Sequence, residues 1–164
     1  NPDAIIARVN FYGWSLKGRR SLAEIFYYTL SSNRPMRGFT DVFFCPFHVD
    51  QLTDVILKML EKDLKGLYHV VSPESLSKYQ FGRMIASQFG LDESLMTPSS
   101  WREAGFKTLR TPQLAFSSQK LSRDLGAVLP GQMEGMQLFY SQFCSGLPEC
   151  LRRIGRPDEA SQLA

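Results

Sequence analysis

The spacing of apolar positions changes along the chain and divides the sequence into predicted strands and helices. Residues 4–10 form a short apolar run with Ile5, Ile6 and Val9, as in a strand buried on both faces of a parallel sheet. A second strand of this kind is predicted over residues 67–71. Strands that alternate with helices predict an α/β fold, and two parallel strands alone indicate part of a larger doubly wound sheet.

Capping signals and helical spacing place the helices between these strands. Ser21 and Glu24 match a Ser-x-x-Glu capping box, so the first helix should start at Ser21 and end near Asn33. Asp50 and Ser77 are expected to cap two further helices, and Gly90 should occupy the C′ position of the helix that Ser77 begins. The helices after the first are predicted over residues 50–62, 77–89, 117–125 and 132–144.

The segments outside the helices have three different characters. Residues 36–47 are extended and aromatic, with four phenylalanines that would form core packing, a subunit contact or a wall against a nucleotide base. Residues 96–98 are predicted as a short strand, and residues 99–116 as an irregular segment with one helical turn. The polar residues 147–164 are expected to form a loose tail.

Charge and composition exclude several classes of protein. The 164 residues carry a net charge of +3, and their basic side chains are scattered, which argues against a nucleic-acid partner. The densest basic groups, Lys17–Arg20 and Arg152–Arg153, are expected to be solvated helix ends. No apolar run reaches the ~20 residues of a membrane span, so no membrane partner is expected.

Cysteines and histidines give no metal or redox pattern. The three cysteines are odd in number and fit no zinc spacing, which favours a reduced, cytoplasmic setting. His48 and His69 form no metal-ligand pair, and His69 is expected to be a core residue. Cys45 has no neighbouring base in the sequence that would make it a nucleophile, so no catalytic residue is assigned.

Several motifs together resemble the extended short-chain dehydrogenases, and among them the dTDP-4-dehydrorhamnose reductases. The strand end Arg8–Gly13 resembles the family's Arg-x-x-x-Tyr-Gly pattern. Leu67–Ser72 with the helix that follows resembles a late strand and helix of the family. Arg110–Ser117, followed by Lys120-Leu121, resembles its Arg-Pro segment and Lys-Leu helix. The motifs keep the family's order from about residue 1 to about residue 145.

The resemblance covers only the C-terminal half of such an enzyme. The sequence has no Gly-x-x-Gly-x-x-Gly turn for a dinucleotide and no Tyr-x-x-x-Lys proton relay. The resemblance therefore implies a C-terminal, substrate-binding portion of a Rossmann-like reductase over residues 1–146, with mixed strands and helices. An N-terminal half of the same protein would bind NAD or NADP and would be the partner of this portion.

The resemblance implies a sugar-nucleotide substrate, reduced or epimerised by the whole enzyme. The alternative is a non-catalytic binding or regulatory module of the same fold, like the regulatory subunit of methionine adenosyltransferase. The aromatic extended segment is also a candidate interface for a homodimer.

Candidate substrate contacts lie where the first strand ends, because ligands of open α/β sheets bind beyond the carboxyl ends of the strands. Asn10, Phe11, Tyr12 and Trp14 occupy this position. Asn10 could bind a sugar hydroxyl, a phosphate or the cofactor, and an aromatic ring could cover the sugar. The alternative is that Phe11 and Tyr12 belong to the core and that Trp14 packs the loop.

Arg110 is the remaining candidate for a substrate contact. It aligns with the family's Arg-Pro position, where a guanidinium can bind a diphosphate through two hydrogen bonds. Thr111 stands where the family has proline and Gln113 where it has asparagine. The alternative for Arg110 is an exposed surface arginine.

Overall fold

The computed structural model describes residues 1–105 and 111–155, in which short strands alternate with helices. The strands are β1 (Ile5–Val9), β2 (Phe11–Tyr12), β3 (Met36–Phe39), β4 (Phe43–Phe44), β5 (Phe47–His48), β6 (Gly66–Val70), β7 (Leu76–Ser77), β8 (Met96–Ser99) and β9 (Gln113–Leu114). The α-helices are α1 (Leu22–Ser31), α2 (Val49–Glu61), α3 (Lys78–Gln88), α4 (Gln119–Leu125), α5 (Gln132–Cys144) and α6 (Leu147–Gly155). The α/β class predicted from the sequence is confirmed.

Most of the strand pairs are parallel. β1 lies beside β6 in register from Ile5–Gly66 to Val9–Val70. β2 pairs with β5, and β3 pairs with the predicted short strand β8, both in parallel. β4 lies between antiparallel β7 and parallel β9. The aromatic segment 36–47 thus contributes to three short strands, β3, β4 and β5. They pair with β2 from an earlier part of the chain and with β7, β8 and β9 from later parts.

One prediction about β1 is wrong: the strand is not buried on both faces. Ile6 is 57% exposed and Val9 is 40% exposed, and Leu67 on neighbouring β6 is also exposed. Among the described strands β1 pairs with β6 only, so its outer edge and part of its surface stay open. His69 on β6 is likewise half-buried rather than a core residue, with its ring 4.6 Å from that of Phe116.

Helix starts follow the predicted caps in two cases out of three. Ser21 and Glu24 form the capping box of α1, and Ser77 caps α3. Gly90, just beyond the end of α3, has the left-handed backbone conformation expected after a helix. The third prediction is wrong, because His48 and not Asp50 caps α2. The Nδ1 atom of His48 accepts the Asp50 N–H at 3.3 Å, which places Asp50 in the first turn.

Two clusters of buried side chains form the core. The larger one lies between α1, α3 and α5, and half of its buried side chains are aromatic, among them Tyr12, Trp14, Phe81 and Phe139. The smaller one lies between α2, β6 and α4 around Phe47. Burial of each large apolar side chain stabilises the fold by ~1.5–3 kcal/mol, so these clusters fix the elements that surround the site.

The C-terminal region differs from its prediction. Residues 147–155, expected to belong to a loose tail, form helix α6. Leu147 and Leu151 pack against the larger core cluster, which explains why this polar stretch folds. Residues 156–164 lie outside the described part of the chain. Within the described part, no helix is long and apolar enough to cross a membrane.

Candidate functional site

The loop after β2 divides its aromatic residues between the core and the surface. Tyr12 is 1% exposed and Trp14 is 8% exposed. The Trp14 indole N–H donates to the Phe139 carbonyl at 3.0 Å, and its ring stacks on Phe139 at a centroid distance of 4.0 Å. Of the two roles that the sequence left open, ligand contact and packing, the structure therefore shows packing for both residues. Tyr12 is too buried to reach a substrate.

Asn10 and Phe11 remain accessible at the same strand end. Phe11 is 57% exposed, although it is a large aromatic side chain. Asn10 is half-buried, and its side-chain amide donates to the Leu114 carbonyl at 3.4 Å. Its side-chain oxygen is the acceptor that a hydroxyl of a sugar or cofactor could meet. Both residues stay candidates for ligand contacts.

Phe11 opens a cavity of about 380 Å³, which we call the loop pocket. Its apolar lining comes from Phe11, Trp14 and Val49. Its polar side is formed by the loop before α1, with the exposed side chain of Arg20 as the charged group. The lining residues are Phe11, Gly13, Trp14, Ser15, Arg20, Ser21 and Val49.

A second cavity of about 320 Å³, which we call the aromatic pocket, lies between β3, β4 and β9. Two rings, those of Phe39 and Trp101, face it together with Lys78. The lining residues are Phe39, Val42, Lys78, Trp101, Thr111, Pro112 and Leu114. Among its described lining residues, the pocket offers two aromatic rings and the ammonium group of Lys78, which suits an aromatic ring attached to an anion.

Asp41 holds Trp101 in place. One carboxylate oxygen accepts the Trp101 backbone N–H at 2.9 Å, and the other accepts the Ser100 hydroxyl. Desolvation raises the pKa of the Asp41 carboxyl, but these hydrogen bonds outweigh it and leave the pKa lowered. The carboxylate therefore stays ionised and fixes the short 3₁₀ helix Trp101–Ala104.

Asn10 lies beside one residue of each pocket. Its neighbour Phe11 lines the loop pocket, and its hydrogen-bond partner Leu114 lines the aromatic pocket.

Sequence reasoning found some of this site and missed the rest. Arg110 lies outside the described residues, so its predicted contact stays a prediction. Trp101 and Lys78 were missed because they come from distant segments that only the fold brings together. Arg20 was taken for a solvated residue, and its position next to Ser21 at a helix start was the signal that it faces a site. Of the four phenylalanines, Phe44 and Phe47 are core, while Phe39 reaches the aromatic pocket.

Cys45 is held in a structural role. The Phe116 backbone N–H donates to its sulfur at 3.3 Å, and the thiol is buried. Burial raises the pKa of the thiol, which keeps it protonated and unreactive. The residue joins β4 to the segment that follows β9.

Comparison with known proteins agrees with this architecture. The structure resembles that of the dTDP-4-dehydrorhamnose reductase of Bacillus anthracis str. Ames solved with NADP, with a TM-score of 0.74 and 24% identity over 84% of this chain and 48% of that one. A reductase structure from Clostridium acetobutylicum ATCC 824 gives a TM-score of 0.76 and 17% identity over 87% and 50%. The chain therefore has the α/β fold that these structures show over about half of their length.

The family is shown by the sequence itself. Residues 1–144 match the model of the RmlD substrate binding domain, and the chain belongs to this family. The probable low-salt glycan biosynthesis reductase Agl14 of Haloferax volcanii is 24% identical over 137 residues, which are 79% of this chain and 44% of that protein. The chain thus spans about half the length of the relatives that it matches.

Proposed function

We propose that this chain is the substrate-binding half of an NAD(P)-dependent sugar-nucleotide reductase of the dTDP-4-dehydrorhamnose reductase type. The proposal is supported by the family match over residues 1–144 and by two pockets of different chemistry. The observation that carries it is the aromatic pocket, whose two rings and lysine suit a nucleotide base next to a phosphate.

The two pockets suggest how the ligand lies. The base stacks between Phe39 and Trp101, since every nucleotide base has a flat face that can stack on an aromatic ring. The sugar reaches the loop pocket, where Phe11 covers one face and Arg20 supplies a cation. Asn10 lies between them and orients the ligand through its side-chain oxygen.

The nicotinamide cofactor belongs mainly to the other half of the enzyme. When bound, NADH or NADPH supplies a hydride. The residues of this chain hold the sugar at the carboxyl end of β1, where Asn10 is the one predicted to touch the cofactor as well. The exposed side chains of Ile6, Val9 and Leu67 offer an apolar surface on which that half would pack.

Trp101→Ala tests the function directly. Stacking on an aromatic side chain contributes about 1–3 kcal/mol per base, so this variant should bind dTDP-glucose roughly five- to 150-fold more weakly. Isothermal titration calorimetry measures the affinity. Arg102→Ala, one position further along the same exposed turn, is the matched control and should leave the affinity within about twofold.

The outcome separates the proposal from its alternatives. Absence of dTDP-glucose binding by the wild-type chain would reject a sugar-nucleotide site. Equal affinities of wild type and Trp101→Ala would show that the base lies elsewhere.

A further inference from the structure

Glu24 is a buried carboxylate that reaches well beyond its own helix. Its side chain is 0% exposed and lies in the first turn of α1. One oxygen accepts the Ser15 backbone N–H at 2.7 Å, and the other accepts the N–H groups of Arg20 at 3.0 Å and Ser21 at 3.1 Å. The Ser15 hydroxyl lies at 2.8 Å and 3.1 Å from the two oxygens. Both ends of the loop from Ser15 to Ser21 are thus tied to one charge.

Other helices of this chain show what a capping box requires. Glu24 is the third residue after the cap of α1, and the same position is occupied by Gln51 in α2 and by Gln80 in α3. Each of these two amide oxygens accepts the backbone N–H of the residue that caps its own helix. In α5 the position is occupied by Glu134, which is exposed and accepts the Gly131 N–H. A neutral amide therefore suffices for capping, and the negative charge of Glu24 serves the loop.

The loop that Glu24 holds is the polar rim of the loop pocket. Ser15, Arg20 and Ser21 line the pocket. The Ser15 hydroxyl is directed to Glu24 and the Ser21 hydroxyl donates to the Gly13 carbonyl at 2.8 Å, which leaves Arg20 as the charged group of the rim. The backbone N–H groups of Arg20 and Ser21 are bonded to Glu24, so a ligand phosphate that enters the pocket would meet the side chain of Arg20 as the charged group of the rim.

The outer side of the same loop is covered by α6. A Cβ on Gly155 would lie 2.5 Å from the Leu16 carbonyl oxygen, so the two backbones are in close contact. Arg152 passes over Gly18 and lies 5.5 Å from the centre of the Tyr28 ring. The loop is held from inside by Glu24 and from outside by α6, which brings the two densest basic groups of the sequence to one surface.

We propose that Glu24 is the positioning residue of the loop pocket, and that it holds Arg20 where the guanidinium binds the phosphate-bearing part of the sugar nucleotide. The inference rests on the proposed function, since it assigns the anion of that same ligand to a residue of the rim. Glu24 does not touch the ligand. It acts through the backbone of Arg20, and its charge balances the three N–H groups that converge on it.

Glu24→Gln tests the role of the charge with little change in shape. Its amide group would face N–H donors that now meet an oxygen, so the rim loosens while the capping oxygen remains. The chain should bind dTDP-glucose about tenfold more weakly, and Arg20→Ala should show a similar loss. Glu134→Gln is the matched control at a capping box away from the pocket, and its affinity should stay within about twofold of the wild type.

A double-mutant cycle separates positioning from a general structural role. If Glu24 acts through Arg20, the variant with both changes binds no more weakly than Arg20→Ala alone. Additive losses, or an unchanged affinity of Glu24→Gln, would overturn the inference and leave the proposed function intact. Failure of the wild-type chain to bind dTDP-glucose would overturn both.

A second variant covers the case in which Glu24→Gln does not fold, as judged by near-ultraviolet circular dichroism. Ser15→Ala removes the hydroxyl that contacts both carboxylate oxygens and keeps the charge in place. We expect a smaller loss of affinity, about three- to fivefold, that is again absent in the Arg20→Ala background. Full affinity of Ser15→Ala, or a loss that adds to that of Arg20→Ala, would overturn the inference.

Discussion

Glu24 and His48 are two fully buried ionisable side chains, and each stands at the start of a helix. The Glu24 carboxylate accepts the backbone N–H groups of Ser15, Arg20 and Ser21. At His48, Nδ1 accepts the Asp50 N–H and Nε2 lies 3.2 Å from the Gln142 side-chain oxygen. A buried carboxylate and a buried imidazole thus fix the starts of α1 and α2, the two helices that border the loop pocket.

His48 should make the stability of the fold depend on pH. Burial lowers the pKa of its imidazole, although Asp50 and the hydrogen bond to Gln142 oppose the change. The unfolded chain therefore binds a proton more readily than the folded one. The stabilisation is complete above the unfolded pKa of about 6.5 and is lost as the pH falls below it, by ~1.4 kcal/mol for each unit by which the two pKa values differ.

Urea unfolding between about pH 5 and pH 8 measures this dependence. His48→Asn is the matched variant, because asparagine caps helices well and does not titrate. Its free energy of unfolding should change less over this range than that of the wild type. An identical pH dependence in both proteins would show that another group is responsible.

The same scale shows what a sequence can and cannot reveal about a site. The sequence leaves open whether Tyr12 and Trp14 contact a ligand or pack inside the protein, and their contacts with Phe139 on α5 show the packing. Phe11, with a similar side chain, faces outward. Neighbouring aromatic residues carry no local signal of direction, since the packing partner comes from a distant part of the chain.

At the scale of elements, close contacts between backbones determine how the helices lie against the strands. Gly38 in β3 packs directly on α3, where a Cβ would lie 2.7 Å from the Tyr79 Cα and 2.8 Å from the Met96 methyl group. The absence of a side chain at this position sets the distance between strand and helix.

Gly38→Ala should therefore force α3 away from β3. Overpacking of this kind costs about 1–3 kcal/mol, which should appear as a lower midpoint of urea unfolding. Arg37→Ala, at the exposed neighbouring position of the same strand, should change the free energy of unfolding by less than about 0.5 kcal/mol. Equal effects of the two substitutions would contradict the packing described here.

Helices with strong local signals were predictable, and those that depend on distant contacts were less so. The capping residues of α1 and α3 and the spans of α2, α4 and α5 follow from the sequence to within a few residues. α6 was missed because its surface is charged, although Leu147, Leu151 and Ile154 already recur at helical spacing. The cap of α2 was misplaced because histidine is an uncommon capping residue.

At the scale of the whole molecule, the chain presents an exposed apolar surface on β1 and β6 in addition to the two pockets. The apolar run of β1 predicted a strand inside a larger sheet, and its exposed side chains agree with a chain that spans about half of its relatives. The aromatic pocket could not be foreseen because it collects residues from several segments, whereas the loop pocket comes mostly from residues 11–21. Asn10, which follows β1 and is bonded to Leu114, lies beside a residue of each pocket.

The most direct test of this site is a titration of the isotopically labelled 164-residue chain with dTDP-glucose, with nuclear magnetic resonance spectra recorded at each step. We predict that the Trp101 indole and the backbone amides of Arg20 and Leu114 shift together, with one apparent affinity. A ligand that shifts resonances away from both pockets, or that shifts none, would contradict the proposed binding site.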